Sequence, residues 1–278
     1  AYAPAVLDSA PPKKEEEIRK LIGDAYYETG QFEKALPDLE KYLKTNRGTK
    51  QDYYQLGYAY FQTTNYEQSI QNFQKSVGDN DTLDQSAYYL IGQANVKNDN
   101  KRSAKTAFKN AYQIEVDPEI TEDALFNYAK TAYELSFHPY DDAIGAFEQY
   151  INTYPKSNKI NDAYEYLVGV YYTTKNYEEA LRSIDRIKKQ DIKLLEAKQR
   201  IAYYRGVELF QAKDYLESLD KFQISLKNNY EPKLKAAALF WMAESFFRLG
   251  DYDNADNYYA DFLASSGARS LNFYEKGY

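Results

Sequence analysis

The sequence has no cysteine and a single histidine, His138. Without thiolates there is no disulfide framework and no cysteine-ligated metal site, and one imidazole removes the usual nucleophile–base pairs. His138 lies beside Pro139 in the segment Ser136-Phe137-His138-Pro139, where a solvent-facing turn residue is expected. Proline and glycine are scarce, at 8 and 12 residues, which argues against long disordered tails. No apolar run approaches the ~18 residues of a membrane-crossing helix, so direct membrane insertion is not expected. Positive charge is in deficit, with 35 Lys and Arg against 42 Asp and Glu and a net charge of −7. Nucleic acids and anionic membranes call for a basic face, and both are unexpected partners here.

Chemical signatures are missing as well. There is no G-x-x-x-x-G-K-[ST], G-x-G-x-x-G, G-x-S-x-G or H-E-x-x-H. The carboxylates interleave with Lys and Arg in the manner of solvated helix faces. Three acids crowd the stretch Gly78–Asp84, but a calcium loop opened at Asp79 would need glycine where Asp84 stands and glutamate where Leu90 stands. A solvated turn with a helix cap is the expectation for that stretch. The chain reads as non-enzymatic, with no cofactor and no metal.

What the sequence does have is aromatic residues and a period. Aromatics make up 17% of the chain, 31 of them tyrosines, and hydrophobic residues 44%, enough for a continuous core. Tyrosine suits half-wet helix edges, since it can bury its ring and hydrate its hydroxyl. Small residues recur at Gly23, Gly57, Gly92, Ala129, Val168, Gly206, Ala243 and Gly277, at spacings of 34 to 39 residues. A second small residue follows twelve later at Ala35, Ser69, Ala104, Ala180, Ser218 and Ala255, and fourteen later at Ala143, after the insertion. Four residues beyond each stands a bulky one: Leu39, Phe73, Phe108, Phe147, Ile184, Phe222 and Tyr259. Large and small residues at helical spacing on both sides of a turn predict two helices crossing at the small positions.

The stretch Leu239–Phe262, with Leu239, Met242, Ala243, Phe246, the turn Gly250-Asp251, and then Ala255, Tyr259 and Phe262, resembles the tetratricopeptide repeat (TPR). The resemblance covers about 16–278 and implies an all-α fold, an α-α superhelix of right-handed twist. About seven helix–turn–helix repeats are expected, roughly 16–49, 50–84, 85–121, 122–160, 161–193, 194–231 and 232–268, with a truncated eighth at 269–278. They would form a single solenoid behind a preamble at 1–15, itself the expected end of a preceding helix. Pro37 is placed in the first turn of its helix. Repeat six departs most, with Ala202 and Arg205 where large apolar residues belong. The start at Ala1 instead of Met and the end inside a repeat suggest a piece of something larger, with a cleaved or engineered start. Leu271, Phe273 and Tyr274 would then lack a covering helix, and self-association through this truncated repeat is an expectation.

Within that family the pattern Tyr154-Pro155-x-Ser157 followed by Asp162-Ala163-Tyr164 is similar to extracytoplasmic bacterial members: outer-membrane-assembly lipoproteins and the periplasmic repeat proteins of the Tol–Pal system. More broadly the chain looks like an internal section of long multi-repeat envelope proteins of Bacteroidetes-type bacteria. The likeness implies a periplasmic or outer-membrane-associated place, with the cytoplasm as the alternative. The carboxylate-clamp members that hold chaperone C-termini are a poor match. Of the clamp positions, occupied here by Lys20, Asp24, Gln55, Ser86 and Leu90, only Lys20 agrees.

The partner expected is therefore a protein or peptide. First-helix positions that the core does not need include Tyr54, Tyr58, Tyr89, Gln93, Phe126, Asn127 and Lys130 in the earlier repeats, and Glu165 and Glu244 in the later ones. The last three repeats bring Tyr166, Arg200, Tyr203, Tyr204, Phe240, Trp241 and Arg248, an aromatic set with arginines of the kind that anchors an extended peptide or a partner helix on the concave face. Packing between neighbouring repeats would account for the same aromatics. A spacer without a ligand of its own, or a targeting module for a separate enzyme domain, remains the alternative function.

Overall fold

A computed structural model describes residues 12–45, 47–135, 141–188, 190, 192–227 and 229–273. The described residues form fourteen α-helices and one short 3₁₀ turn, without a strand. The helices are α1 (Pro12–Glu28), α2 (Phe32–Thr45), α3 (Lys50–Gln62), α4 (Tyr66–Phe73), α5 (Thr82–Lys97), α6 (Lys101–Ile114), α7 (Pro118–Leu135) and α8 (Asp141–Thr153). They continue as α9 (Ile160–Thr173), α10 (Tyr177–Arg186), α11 (Ile192–Gln211), α12 (Tyr215–Leu226), α13 (Pro232–Leu249) and α14 (Tyr252–Ala264). Odd- and even-numbered helices pair as the two arms of each repeat. The chain divides into two compact units, Ala1–Asn152 and Thr153–Tyr278, each a run of stacked helix pairs. Repeats one to four fall in the first and repeats five to seven in the second.

The two arms meet where the small residues stand. Ala35, Ser69, Ala104, Ala143, Ala180, Ser218 and Ala255 are all buried, as are Ala129, Val168 and Ala243 opposite them. At the glycines the fit is tightest. A Cβ on Gly57, Gly92 or Gly206 would come within 2.9, 2.6 and 2.6 Å of the ring of Phe73, Phe108 or Phe222, and one on Gly23 within 2.8 Å of Leu39. The bulky residue sixteen positions on thus lies against the glycine of its own repeat. Where the small residue is Val168, the facing residue is Ile184, with no ring to accommodate.

Six turns between the arms share one geometry. Seven residues after the small position the backbone is left-handed, at Gly30, Thr64, Asp99, Lys175, Lys213 and Gly250, with φ between 54° and 80°. The amide of each of these bonds the carbonyl three residues back, and the next amide bonds the carbonyl five residues back, as in Asp214 to Leu209 at 2.9 Å and Asn176 to Tyr171 at 2.7 Å. This is a Schellman close. Glycine accepts that conformation without strain, but only two of the six turns have it. The second arm then starts on a polar residue: Asn100, Asp214 and Asp251 each accept a bond from the amide three residues on. Aromatic pairs bridge the same turns, Tyr27 with Phe32, Phe61 with Tyr66, Tyr172 with Tyr177, Phe210 with Tyr215 and Phe247 with Tyr252, at ring separations of 5.3 to 6.2 Å.

Buried glutamines tie successive repeats together. Gln85 Oε1 accepts the Asp117 amide at 2.6 Å, and Gln199 Oε1 accepts those of Tyr230 and Glu231 at 3.1 Å. Both glutamines stand seven residues before the small position of their repeat, and both amides lie in the connector to the next. The acidic stretch before α5 is also closed from within. Asp84 accepts the amides of Gly78, Asp79 and Asn80 at 2.7 to 2.8 Å, and Lys50 reaches Asp79, Asp81 and Asp84 at 2.6 to 2.9 Å.

Three expectations change. The first helix begins at Pro12, so part of the preamble is helical; residues 1–11, His138 and Tyr274 lie outside the described residues. Pro37 falls in the second turn of α2, exposed, so that water can meet the Glu33 carbonyl its ring leaves unbonded. The eighth repeat shows no α-helix as far as Phe273. Ala268–Ser270 make a 3₁₀ turn, and Gly267 sits so close to α13 that a Cβ would meet the Pro232 carbonyl oxygen at 2.3 Å. Leu271 and Phe273 fold back onto the core of repeat seven, leaving both partly buried.

Candidate functional site

All seven site residues expected from the sequence belong to the second unit. Tyr166 lies on α9, Arg200, Tyr203 and Tyr204 on α11, and Phe240, Trp241 and Arg248 on α13. Tyr204 and Trp241 occupy the same place in successive repeats, two residues before Gly206 and Ala243, as does Tyr166 before Val168. The helical arms stack side by side, so this position forms a row.

The row is continuous through its aromatics. The Tyr204 ring lies 5.7 Å from Tyr177, nearly parallel to it, and 6.4 Å from Tyr172. Tyr203 meets Tyr204 edge-on at 5.5 Å. The Trp241 indole N–H donates to the Tyr203 hydroxyl at 3.2 Å, and the Trp241 ring lies 4.9 Å from Phe210. Burial pushes the Tyr203 hydroxyl pKa up, opposed by the indole N–H and helped by Tyr204. This hydroxyl stays protonated across the physiological range and so can still donate a hydrogen bond of its own. Tyr204 is 38% exposed, whereas Tyr203 and Trp241 are half-buried.

The remaining three residues sit differently. Phe240 is 3% exposed, enclosed by Phe262 at 5.3 Å and Phe273 at 4.4 Å. It forms the floor under Trp241 and offers no face to a partner. Its position in the first helix is the one Tyr203 holds one repeat earlier, but here the returning C-terminal segment covers it. Arg200 pairs with Glu231, whose Oε1 accepts from its Nε at 3.0 Å, and this hydrogen bond raises the Arg200 pKa. Arg248 is exposed, with Glu244 only at the limit of an ion pair, 3.8 Å. Glu244 also accepts from the Tyr259 hydroxyl at 2.6 Å. Tyr166 is half-buried.

Tyr172, Tyr177 and Phe210 belong to the row and were not singled out from the sequence. Their signal was the pairing of an aromatic four residues after the small position with another nine after it. In the first unit, Lys20, the sole clamp match, is held by Asp52 and lies 3.7 Å from Asp24. Phe126 is buried there, and the Tyr89 hydroxyl donates to Asp123 at 3.2 Å. Among the described residues no group of three or more His, Cys, Asp or Glu could hold a metal ion. No described helix is long and apolar enough to cross a membrane.

Three family models, each described as a tetratricopeptide repeat, match residues 20–84, 85–115, and 123–157 with 237–266, together more than half of the chain. Comparison with curated proteins gives no match. Among solved structures the chain is similar to MamA, at 25% identity over 68% of this chain and 94% of that one, with a TM-score of 0.48. It is similar to YrrB, described as a TPR protein with an unusual peptide-binding site, at 20% identity over 71% and 97% of the two chains and a TM-score of 0.53. It is also similar to the TPR2AB domain of yeast Sti1, solved as a complex with pHSP90, at 14% identity over 95% of each chain and a TM-score of 0.50. With the repeated helix pairs, the crossing residues and the Schellman turns, the family-model matches establish that the chain is built of tetratricopeptide repeats and belongs to the tetratricopeptide-repeat proteins.

Proposed function

We infer that this chain is a non-enzymatic interaction scaffold. Its second unit takes an extended peptide or a partner helix along Tyr166, Arg200, Tyr203, Tyr204, Trp241 and Arg248, over the Phe240 floor. The observation that carries this reading is the aromatic row itself, half-buried, anchored by the Trp241–Tyr203 hydrogen bond and open at Tyr204. Rigid aromatics with an exposed arginine at the margin are the usual composition of a binding hot spot. YrrB is described as binding a peptide, and the Sti1 domain was solved with pHSP90, which supports the class of partner without naming one. Placement in a bacterial envelope assembly, periplasmic or outer-membrane-associated, is supported by the resemblance over residues 138–180, with its Tyr154-Pro155-x-Ser157 and Asp162-Ala163-Tyr164 pattern.

A spacer without a ligand is the second reading. It is favoured by the packing of Phe273 on Phe240 and, at 6.1 Å, on Trp241, which satisfies part of the row internally.

A displayed peptide library panned against the protein separates the two. On the scaffold reading, selected peptides shift the emission of Trp241, the sole tryptophan. Trp241→Ala then weakens binding more than tenfold, about 1.4 kcal/mol or more, while the helical spectrum stays intact. Selected peptides that leave the emission unmoved and bind the variant equally well would remove the site from this row; no selection at all would favour the spacer.

A further inference from the structure

A cavity of about 720 Å³ lies in the first unit, between α4, α5 and α6. It opens where an aromatic ring is missing. Three positions after the small residue of the first helix, the repeats carry a large side chain at Tyr26, Tyr60, Tyr171, Leu209 and Phe246, but Asn95 in repeat three. In repeat two the half-buried Tyr60 ring packs on Ala35, Leu39 and Leu56, and its hydroxyl reaches from α3 to Glu40 on α2. In repeat three the Asn95 side chain turns onto its own helix instead, its Nδ2 donating to the Ile91 carbonyl at 2.8 Å. Repeat four also has a small residue at this position, Ala132, but it carries Tyr128 where repeat three has Ile91.

The floor of the cavity is apolar with one polar group. Tyr88, Ile91 and Ala107 line it, and Asn95, 4% exposed, joins them with an Oδ1 that accepts no bond among the described residues. The rim is made of amides: Gln71 and Gln74 at the end of α4 and Asn110 on α6, none of which holds a side-chain hydrogen bond among the described residues. A carboxamide offers both a donor and an acceptor, the pair that a peptide main chain presents in return. A floor with a single buried acceptor suits a phenol better than a benzene ring, because a hydrocarbon would cover that acceptor and leave it unsatisfied.

We propose that this cavity binds an extended peptide segment through one tyrosine, whose ring enters between α4 and α6 and whose hydroxyl donates to Asn95 Oδ1. Gln71, Gln74 and Asn110 hold the main chain around it. The anchor is a tyrosine because the chain itself sets Tyr60 at the matching position of the preceding repeat. A peptide carries it because a free phenol would leave the rim amides to water alone. The site is formed wholly within the first unit and does not rest on the aromatic row of the second.

Titration of the protein with acetyl-Gly-Tyr-Gly-amide, followed in the side-chain amide signals by heteronuclear NMR, tests this. The Gln74 and Asn110 signals should shift saturably at millimolar peptide, while the emission of Trp241 should not move. Exchanging the peptide's tyrosine for phenylalanine should weaken binding roughly threefold or more, since a hydrogen bond is lost. The phenol p-cresol, which has no main chain, should bind more weakly than the tyrosine peptide. Asn95→Tyr restores the chain's own ring, so it should abolish the shifts and raise the urea midpoint. Asn95→Ala should bind the two peptides equally, and it decides the matter if Asn95→Tyr does not fold. The absence of any saturable shift overturns the proposal, as does binding retained by Asn95→Tyr with an intact helical spectrum. Equal affinities of the two peptides for the wild type also overturn it, as does p-cresol binding as tightly as the peptide, which would make the cavity a site for small phenols. A peptide that moves the Trp241 emission alone has bound the row, an outcome that removes this site and leaves the row standing.

Discussion

Gly92 and Gly145 are both helical glycines with opposite meanings. A Cβ at Gly92 would stand 2.6 Å from the Phe108 ring, whereas one at Gly145 would meet nothing within 4 Å. Alanine at an open helical site gains about 0.5–1 kcal/mol from the stiffer unfolded chain and better helix propensity. At a closed site that gain is outweighed by overpacking, roughly 1–3 kcal/mol. Gly145→Ala should therefore raise the urea midpoint and Gly92→Ala should lower it; a rise in both would mean that the arms do not cross at Gly92. The strained turn residues belong to the same scale. Thr64 is β-branched and left-handed at φ 62°, a conformation that disfavours such side chains. It persists because the bonds from the Thr64 and Asn65 amides to the Phe61 and Tyr60 carbonyls close the helix there.

Helices, once formed, need their ends tied, and α5 shows the most concentrated case. Burial on its own would raise the Asp84 carboxyl, but the Lys50 ammonium and the amides of Gly78, Asn80 and Asp79 hold it below its ordinary value of 3.8. A carboxylate whose pKa is depressed by folding contributes stability above its unfolded pKa, and that contribution is lost as the pH falls through the folded value. For Asp84 the loss begins near pH 4 and continues downward. Asp84→Asn should cost on the order of 2 kcal/mol at pH 7, where the charged acceptor is missing, and should flatten the acid limb of the stability curve. Parallel curves for the two proteins between pH 5 and pH 2 would show that Asp84 contributes nothing through its charge. Gln85 and Gln199 do the comparable task with neutral groups, so their ties should be insensitive to pH over the same range.

In a repeat protein each unit touches only its neighbours, so a disturbance should fade along the chain. Trp241, in repeat seven, is the sole tryptophan and reports that region alone. Gly206→Ala, which sets a Cβ 2.6 Å from Phe222 in the adjacent repeat, should lower the midpoint seen by Trp241 fluorescence. Gly92→Ala, four repeats away, should lower the midpoint seen by far-ultraviolet circular dichroism and move the tryptophan signal less. Equal displacements of both signals by both variants would mean that the chain unfolds as one cooperative body.

The repeat architecture was legible in the sequence because its determinants are local and periodic. A small residue, a second one twelve positions on and a bulky one four further state which faces must meet, and the burial of Ala35, Ser69, Ala104, Ala143, Ala180, Ser218 and Ala255 follows from that spacing. The first-helix positions of Tyr203, Tyr204 and Trp241 were legible for the same reason, the repeat frame setting Tyr204 and Trp241 at one position of successive repeats. Tertiary structure decided what those positions became. Phe240 and Tyr203 are equivalent in sequence, but the turn at Gly267 brings Phe273 over one of them, and the other is left half-open. Arg200 and Arg248 were expected in one set, but a connector residue, Glu231, takes up the first, while the second meets only Glu244 at 3.8 Å. The glutamine ties and the left-handed Thr64, Asp99, Lys175 and Lys213 carry no compositional signal, because a turn closed by backbone bonds can impose a conformation its side chain disfavours. Spacing along one helix is set by the chain, whereas which neighbour covers a given face depends on segments that return from elsewhere, and only packing determines that.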